Sequence, residues 1–386
     1  MPPASDRHTS REGDDDGAAE RLAHVRRRFR EFGAEYASLP LYGSVSRRVA
    51  EDPETAGLLV SAQPGQARPV LWFAALHDLV LRRPDVPAAR WYASVVGRDA
   101  LPEGDPWPDV RTTVLDHADE LRQLMATRTT QTNEVNRSVY AAAGLAMATT
   151  DRPDVPVALV ELGASAGLLL GVDRYAVELS SPHGTVVLGD ATSPVRCSGV
   201  DRAGVGTALH ARGAGLPPVR ARVGLDLAPV DLDDDEAVRW LEACLWPDVP
   251  GRVERFRAAR GLLRHDPPLV LAGDMVDGLH DAVGRARSLA GPGAHVVVLT
   301  SWALTYLEAS RRIGLASVLD AISREVSDLS WLTAEPPGCV PAVPVPDGAG
   351  DRGTVVGLRR WRAGREGEPR ALGTCHPHGA WVDLSL

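Results

Sequence analysis

The sequence predicts an α/β fold in which a mostly parallel sheet follows an all-helical N-terminal domain. Three observations carry this. From Ala18 to about Thr150 apolar residues recur at three- and four-residue spacing, as in Leu22, Val25, Phe29 and Phe32, which is the period of a helix face. From Val157 onward short apolar runs alternate with helical stretches, the pattern of a sheet flanked by helices. Between them, Val157 to Leu170 reads as a buried strand, a tight turn of small residues and the first turn of a helix.

Taken in order, residues 1 to about 18 are polar and acidic and lack large apolar groups, so a disordered tail is expected there. Residues 19–153 form the helical domain. Leu71 to Leu81 is a strongly apolar helix, Val110 to Thr127 another, and Gln131 to Met147 a third. His77 and Asp78 interrupt the first of these, where a lone histidine is more often a satisfied core residue than a catalyst. Pro153 and Pro156 then punctuate the chain, and residues 154–386 form the sheet domain. Its core strands are expected at Ala158–Leu162, Arg222–Asp226, Leu269–Ala272 and His295–Leu299, with later strands at Leu329–Thr333, Thr354–Arg360 and Trp381–Leu384. Helices are expected at Glu236–Cys244, Val253–Leu263 and Trp302–Val326. Thr185–Gly189 and Val195–Cys197 read as an added β-hairpin, with a Gly/Ala-rich loop after it, inside an insertion near residues 183–220.

Composition narrows the function classes. The 386 residues carry a formal net charge of −9, which argues against broad nucleic-acid binding. Cys197, Cys244, Cys339 and Cys375 are scattered, without C-x-x-C spacing, so no structural zinc is expected and a reducing cytoplasm fits. The polar start has no apolar core of a signal peptide, and no apolar run reaches the roughly 18 residues a bilayer span needs. A cytoplasmic protein without membrane partner is the expectation. The abundance of Ala, Arg, Gly, Pro and Asp with few Lys points to a high-GC bacterium.

The turn after the first core strand carries the chemistry. Glu161-x-Gly163-x-Ser165-x-Gly167 resembles motif I of class I S-adenosylmethionine-dependent methyltransferases, with serine in place of the middle glycine. Arg222–Asp226 ends a strand with an acid, where that family holds the ribose. Leu269–Ala272 followed by Gly273-Asp274 resembles the third strand, whose acidic end lies near the adenine. His295–Leu299 leads into Ser301-Trp302, where the fourth strand delivers catalytic side chains. The resemblance implies a Rossmann-like, methyltransferase-type sheet with S-adenosylmethionine as cofactor, bound by Glu161, Gly163, Ser165, Gly167, Asp226 and Asp274. Two other readings use the same letters. Gly163-x-Ser165-x-Gly167 spells the nucleophile elbow of α/β-hydrolases, with Ser165 as nucleophile and His376 or His378 late in the chain. A nicotinamide site needs G-x-G-x-x-G, a spacing absent here. The plain alternative is a turn that only packs a helix against its strand.

End to end, the chain also resembles a group of actinobacterial proteins classed as a domain of unknown function, with a helical first half and a methyltransferase-like second half. Thr130–Glu134, Arg239–Asp248 and His378–Trp381 carry that resemblance, which implies the architecture and no reaction. Within it, Asn133, Glu134 and Arg137 cluster at an expected helix start and read either as a lid over the cofactor or as a capping arrangement. The assignments are Glu134, Ser301 and His378 as catalytic residues, with Glu134 as base. Asn133, Arg137, Trp302 and Tyr306 are assigned to the substrate. No metal is assigned. The expected function is methyl transfer to a small or carrier-bound metabolite. The alternatives are another reaction on the same fold, such as substitution, elimination or cyclisation in a biosynthetic pathway, or non-catalytic binding of a protein partner.

Overall fold

The computed structural model describes residues 9–350 and 353–386, with side chains from residue 17 on. The polar tail expected over 1–18 therefore lies outside the described residues up to residue 8. From Thr9 onward the chain is already helical, a correction to that expectation. The chain divides into two compact units.

The first unit comprises the residues up to Asn133 together with Asp235–Glu254. It contains α1 (Thr9–Glu35), α2 (Tyr42–Glu51), α3 (Pro53–Gly57), α4 (Pro69–Arg82), α5 (Ala93–Val96), α6 (Trp107–Asp116) and α7 (Ala118–Thr127). The single helix expected over Val110–Thr127 is thus two, broken at His117. Aromatic rings meet within its largely aliphatic core: Tyr42 stacks on Phe73 at 4.0 Å between ring centres, and Trp246 meets Tyr36 edge-on at 4.7 Å. His77 is fully buried and bonded to Ser94 Oγ at 2.7 Å, the core role expected of it. The Arg239–Asp248 segment is structural here. Arg239 pairs with Asp78, Trp240 Nε1 donates to the Thr129 carbonyl, and the Asp248 carboxylate accepts the Leu41 and Tyr42 N–H groups at the start of α2.

The second unit comprises Glu134–Asp234 and Arg255–Leu386. The division therefore falls before α8 (Ser138–Thr149), not at residue 153, and α10 (Asp235–Ala243) belongs with the helices of the first unit. The strands are β1 (Val157–Leu162), β2 (Ala176–Ser181), β3 (Gly184–Gly189), β4 (Arg196–Asp201), β5 (Val219–Asp226), β6 (Leu269–Ala272), β7 (His295–Ser301), β8 (Asp328–Glu335), β9 (Thr354–Arg362), β10 (Arg365–Glu366), β11 (Arg370–Cys375) and β12 (Trp381–Leu384). They form one mixed twelve-stranded sheet, ordered β3-β2-β4-β12-β11-β9-β8-β7-β1-β5-β6, with β10 on β9. The block β6-β5-β1-β7-β8 is wholly parallel. Its strands are short, rich in Val and Leu, and β1, β7 and β8 are buried nearly throughout, as strands covered on both faces must be. α12 (Leu279–Ala290) and α13 (Ala309–Ile322) supply Leu279, Val283, Leu315 and Leu319 to the core on one face. On the other face Gly144 of α8 closes on Leu332, where a β-carbon would stand 2.7 Å from the leucine side chain. The remaining helices are α9 (Val205–Ala211) and α11 (Arg252–Leu263).

Two corrections follow for the insertion. The hairpin pairs β3 with β2, not with 195–197, and β4 lies parallel to β2. The segment after β1 is a 3-10 helix, Leu168–Arg174, in place of the expected α-helix. The single helix expected over Trp302–Val326 is a short 3-10 turn, Leu304–Tyr306, and then α13.

At the amino ends of β7 and β8, His295 is buried and its Nε2 lies 2.9 Å from Ser330 Oγ and 3.7 Å from Asp328. These are the letters of a hydrolytic triad, but both oxygens face the same nitrogen, so no relay through the ring is formed. Burial pushes the His295 imidazole down to about 4, aided by Arg360 and Arg152 and opposed by Asp328. A histidine depressed in the folded chain leaves stability intact above its ordinary value near 6.5. That stability is lost as pH falls through the interval down to about 4. His295→Gln is therefore expected to flatten the acid limb of a melting-temperature profile. A variant limb as steep as the parent's would remove His295 from acid unfolding.

Candidate functional site

The parallel block reverses direction of growth at β1: β5 and β6 lie on one side, β7 and β8 on the other. Crevices at such reversals, outside the carboxyl ends of the strands, are where α/β sheets bind ligands. Leu162 stands opposite Leu225 and Thr300, Asp226 opposite Ala272, and Ser301 opposite Ala334. The residues at the next level, Asp226, Gly163, Ser301 and Glu335, thus share one crest.

The turn leaving β1 is held in left-handed backbone at Gly163 (φ 75°), Ser165 (φ 52°) and Gly167 (φ 70°). The Leu225 carbonyl accepts the Gly163 N–H at 2.8 Å, and Asp226 Oδ2 accepts the Ser165 N–H at 2.8 Å. Gly167 has no room for a side chain, because a β-carbon would lie 2.7 Å from Pro268. Gly163 alone in this turn is exposed. A β-carbon there would stand 3.0 Å from the Ala303 methyl, so Ala303 occupies the approach that the sequence reading left to a ligand. Gly163→Ala is accordingly expected to cost roughly 1–3 kcal/mol from the left-handed backbone alone. A thermal melt within one degree or so of the parent would show that this strain is absent.

Glu161 is 6% exposed, and its Oε2 has no hydrogen-bond partner. Burial raises its carboxyl well above the usual range, Asp226 adds to this, and the Arg137 charge opposes it. Arg137 donates from Nη1 to the Ser301 carbonyl at 3.2 Å, while its Nε is buried without a partner. Ser301 Oγ lies 2.8 Å from the Tyr140 hydroxyl, which burial keeps protonated far into the alkaline range. Glu335, fully buried at the end of β8, accepts the Ala303 N–H at 3.0 Å and the Leu304 N–H at 3.3 Å on Oε1. Burial lifts this carboxyl to about 7 against the pull of those N–H groups, of Arg137 and of the neighbouring Thr300 hydroxyl. Trp302 adopts left-handed backbone (φ 57°), with its indole N–H on Thr354 Oγ1. Unpartnered buried polar atoms and strained backbone gather at this strand crest, which makes it the candidate site.

The structure brings together Arg137, Glu161, Gly163, Ser165, Asp226, Ser301 and Trp302. Gly167 closes the same turn. The His376–Gly379 turn joins them through the Tyr140 hydroxyl, 3.5 Å from the Pro377 carbonyl, and through Asn136, whose Nδ2 donates to the His378 carbonyl at 3.3 Å. Other assignments change. Glu134 lies ahead of a 3-10 turn (Val135–Arg137), where its buried carboxylate accepts the Asn136 N–H at 3.0 Å and stands 3.7 Å from Arg255. It caps a helix start. Asn133 ends the helical unit, so it and Arg137 share no helix face. Asp274 accepts the Val276 and Asp277 N–H groups and pairs with Arg311; against burial, those N–H groups first and Arg311 after them hold its carboxyl below the usual range. Tyr306 is 82% exposed. Tyr140, Glu335 and Ala303 were missed. Glu335 follows the rule that identified Glu161 and Asp226, an acid at the end of an apolar strand, but it lies two residues past the predicted end of its strand.

A family profile described as an uncharacterized protein conserved in bacteria, DUF2332, matches residues 26–384. The chain belongs to the DUF2332 family. No curated protein is similar enough to match it. In this DUF2332 chain, no described helix is long and apolar enough to cross a membrane. Among the described residues no group of three His, Cys, Asp or Glu is arranged to hold a metal ion.

Proposed function

We propose that this DUF2332 chain binds S-adenosylmethionine at the crest of the parallel block and transfers methyl groups to a small or carrier-bound substrate. The carrying observation is Glu161: a buried carboxyl with an unpartnered oxygen at the end of β1, within the field of Arg137, whose Nε is also unpartnered. The amino-acid end of S-adenosylmethionine offers an ammonium to the one and a carboxylate to the other, so the donor set fits. Asp226 spends one acceptor position of each oxygen on the Ser165 and Ala228 N–H groups. A carboxylate has further lone pairs, which leaves it able to accept from ribose hydroxyls. The strand order around β1 and the acid-then-glycine turn support the same reading.

The cofactor, when bound, supplies an electrophilic sulfonium methyl group. The chain's part is to orient the partners and manage protons. Tyr140, kept protonated and oriented by Ser301, is a hydrogen-bond donor at the crest. Ser301 Oγ and the Pro377 carbonyl of the His378 turn lie within hydrogen-bond reach of it. The test is calorimetry and thermal shift with S-adenosylmethionine and S-adenosylhomocysteine on the parent and on Ser165→Ala. Stabilisation of both proteins supports the proposal. No response from either removes it, and loss of all hydrolytic turnover in Ser165→Ala would favour the elbow reading.

A second reading keeps the site and drops methyl transfer, in favour of substitution, elimination, cyclisation or partner binding. It is favoured by the Ala303 methyl over Gly163 and by the 3-10 helix in place of an α-helix after the turn. Binding of S-adenosylhomocysteine without turnover of any methyl acceptor would support it.

A further inference from the structure

We propose that Glu335 is the positioning residue of the Gly163 turn, acting through the main chain of Trp302–Leu304. This deepens the reading above and rests on it only for the identity of the ligand. The chain of contacts is short. Glu335 Oε1 accepts from the Ala303 and Leu304 N–H groups. The Ala334 carbonyl accepts the Trp302 N–H at 3.0 Å, and Thr354 of β9 accepts the indole N–H. Residues 302–304 are therefore held from β8 and β9, although they leave β7. The methyl of Ala303, fixed in this way, stands where Gly163 would carry a side chain. A carboxyl at the end of β8 thus sets the position of a methyl group over the one exposed glycine of the β1 turn.

The backbone of Trp302 shows that this hold is strong. A bulky residue at φ 57° costs roughly 1–3 kcal/mol and persists only where its surroundings over-determine it. An ionised carboxylate makes charge-assisted bonds to the two N–H groups, about twice as strong as those of a neutral acid. The titratable groups acting on Glu335 are Arg137 ahead of α8, Tyr140 within α8 and Cys339 after β8. Only Arg137 is a permanent cation, and burial outweighs it. With the carboxyl near 7, the turn is held firmly above neutrality and more loosely below it.

The experiment uses the full chain labelled with fluorotryptophan, the Trp302 resonance being assigned with Trp302→Phe. Between about pH 5 and about pH 9 the Trp302 signal is expected to titrate with a midpoint near 7. Glu335→Gln keeps the size and the acceptor oxygen but cannot ionise, and it should abolish that titration. Calorimetry with S-adenosylhomocysteine gives the second readout. The affinity of the parent should rise across neutrality roughly three- to tenfold more than that of Glu335→Gln, which keeps only the rise linked to proton release at Glu161. A Trp302 titration identical in the two proteins, or absent from both, overturns the proposal. If S-adenosylhomocysteine binds at no pH while the Trp302 titration is present in the parent and lost in the variant, positioning by Glu335 stands and the cofactor reading falls.

Discussion

Glu161→Gln is expected to lower affinity for S-adenosylhomocysteine by roughly ten- to a hundredfold, the worth of one hydrogen bond to a charged group at about 1.5–3 kcal/mol. Burial raises the Glu161 carboxyl well above the usual range in the ligand-free chain, which favours its protonated form. A ligand ammonium favours the ionised form, so binding should release a proton, read by calorimetry in two buffers of different ionisation heat. The glutamine variant should release none. The stability consequence runs the opposite way. A carboxyl whose folded pKa is raised contributes stability that is complete below its unfolded value and is lost as pH rises through the folded one. The variant should therefore melt with the parent in mild acid and above it in alkaline solution. Unchanged affinity and unchanged proton release would remove Glu161 from the site.

Asn136→Ala should destabilise the chain by about 3–5 kcal/mol, the largest stability loss expected of any substitution considered. Its amide donates to the Ser198 carbonyl at 3.0 Å, to that of Gly379 at 3.1 Å and to that of His378, while its oxygen accepts the Ser198 N–H at 2.9 Å. One buried side chain thus satisfies backbone groups of β4 and of the turn between β11 and β12. Gly379→Ala tests the same joint from the other side. Gly379 has a φ of 72°, and a β-carbon there would lie 2.0 Å from the Asn136 carbonyl. No side-chain rearrangement relieves a clash between two backbones, so a loss of several kcal/mol is expected. Chemical denaturation measures both. A loss under about 1 kcal/mol in either would mean that the joint is held by other contacts.

The parallel block was legible because its strands announce themselves. β6 and β12 have the bounds expected of them, and β1, β5, β7, β8 and β9 were found with ends short by one to three residues. β2, the two-residue β10 and β11 were missed. β2 and β11 are each interrupted by small or polar residues, and in β2 the alternation of Val177, Leu179 and two serines is too brief to separate from a helix start. The helix expected after the turn failed for a physical reason. Leu168-Leu-Leu is as apolar as a helix core, but Gly171 must pass within reach of the Tyr175 ring, where a β-carbon would stand 2.6 Å from the hydroxyl. The site was legible in part. An acid at a strand end is a local signal, and it identified Glu161 and Asp226. What each acid does depends on distant partners. Nothing local in the sequence separates Asp274, bound to Arg311, from Glu161, whose Oε2 is unpartnered, or reveals that Glu134 is a cap.

The order of strands also dictates when this sheet can be finished. The β2–β3–β4 group is inserted between β1 and β5, yet it reaches the rest of the sheet through β12, where Val200 pairs with Trp381 and Asp201 with Val382. During synthesis β4 therefore leaves the ribosome long before the strand that covers its edge. An uncovered edge is a template for pairing with other chains. Among the groups waiting there is the Ser198 backbone, whose partner Asn136 is made before it. A chain cut short before Trp381 should therefore emerge prone to aggregation rather than merely less stable.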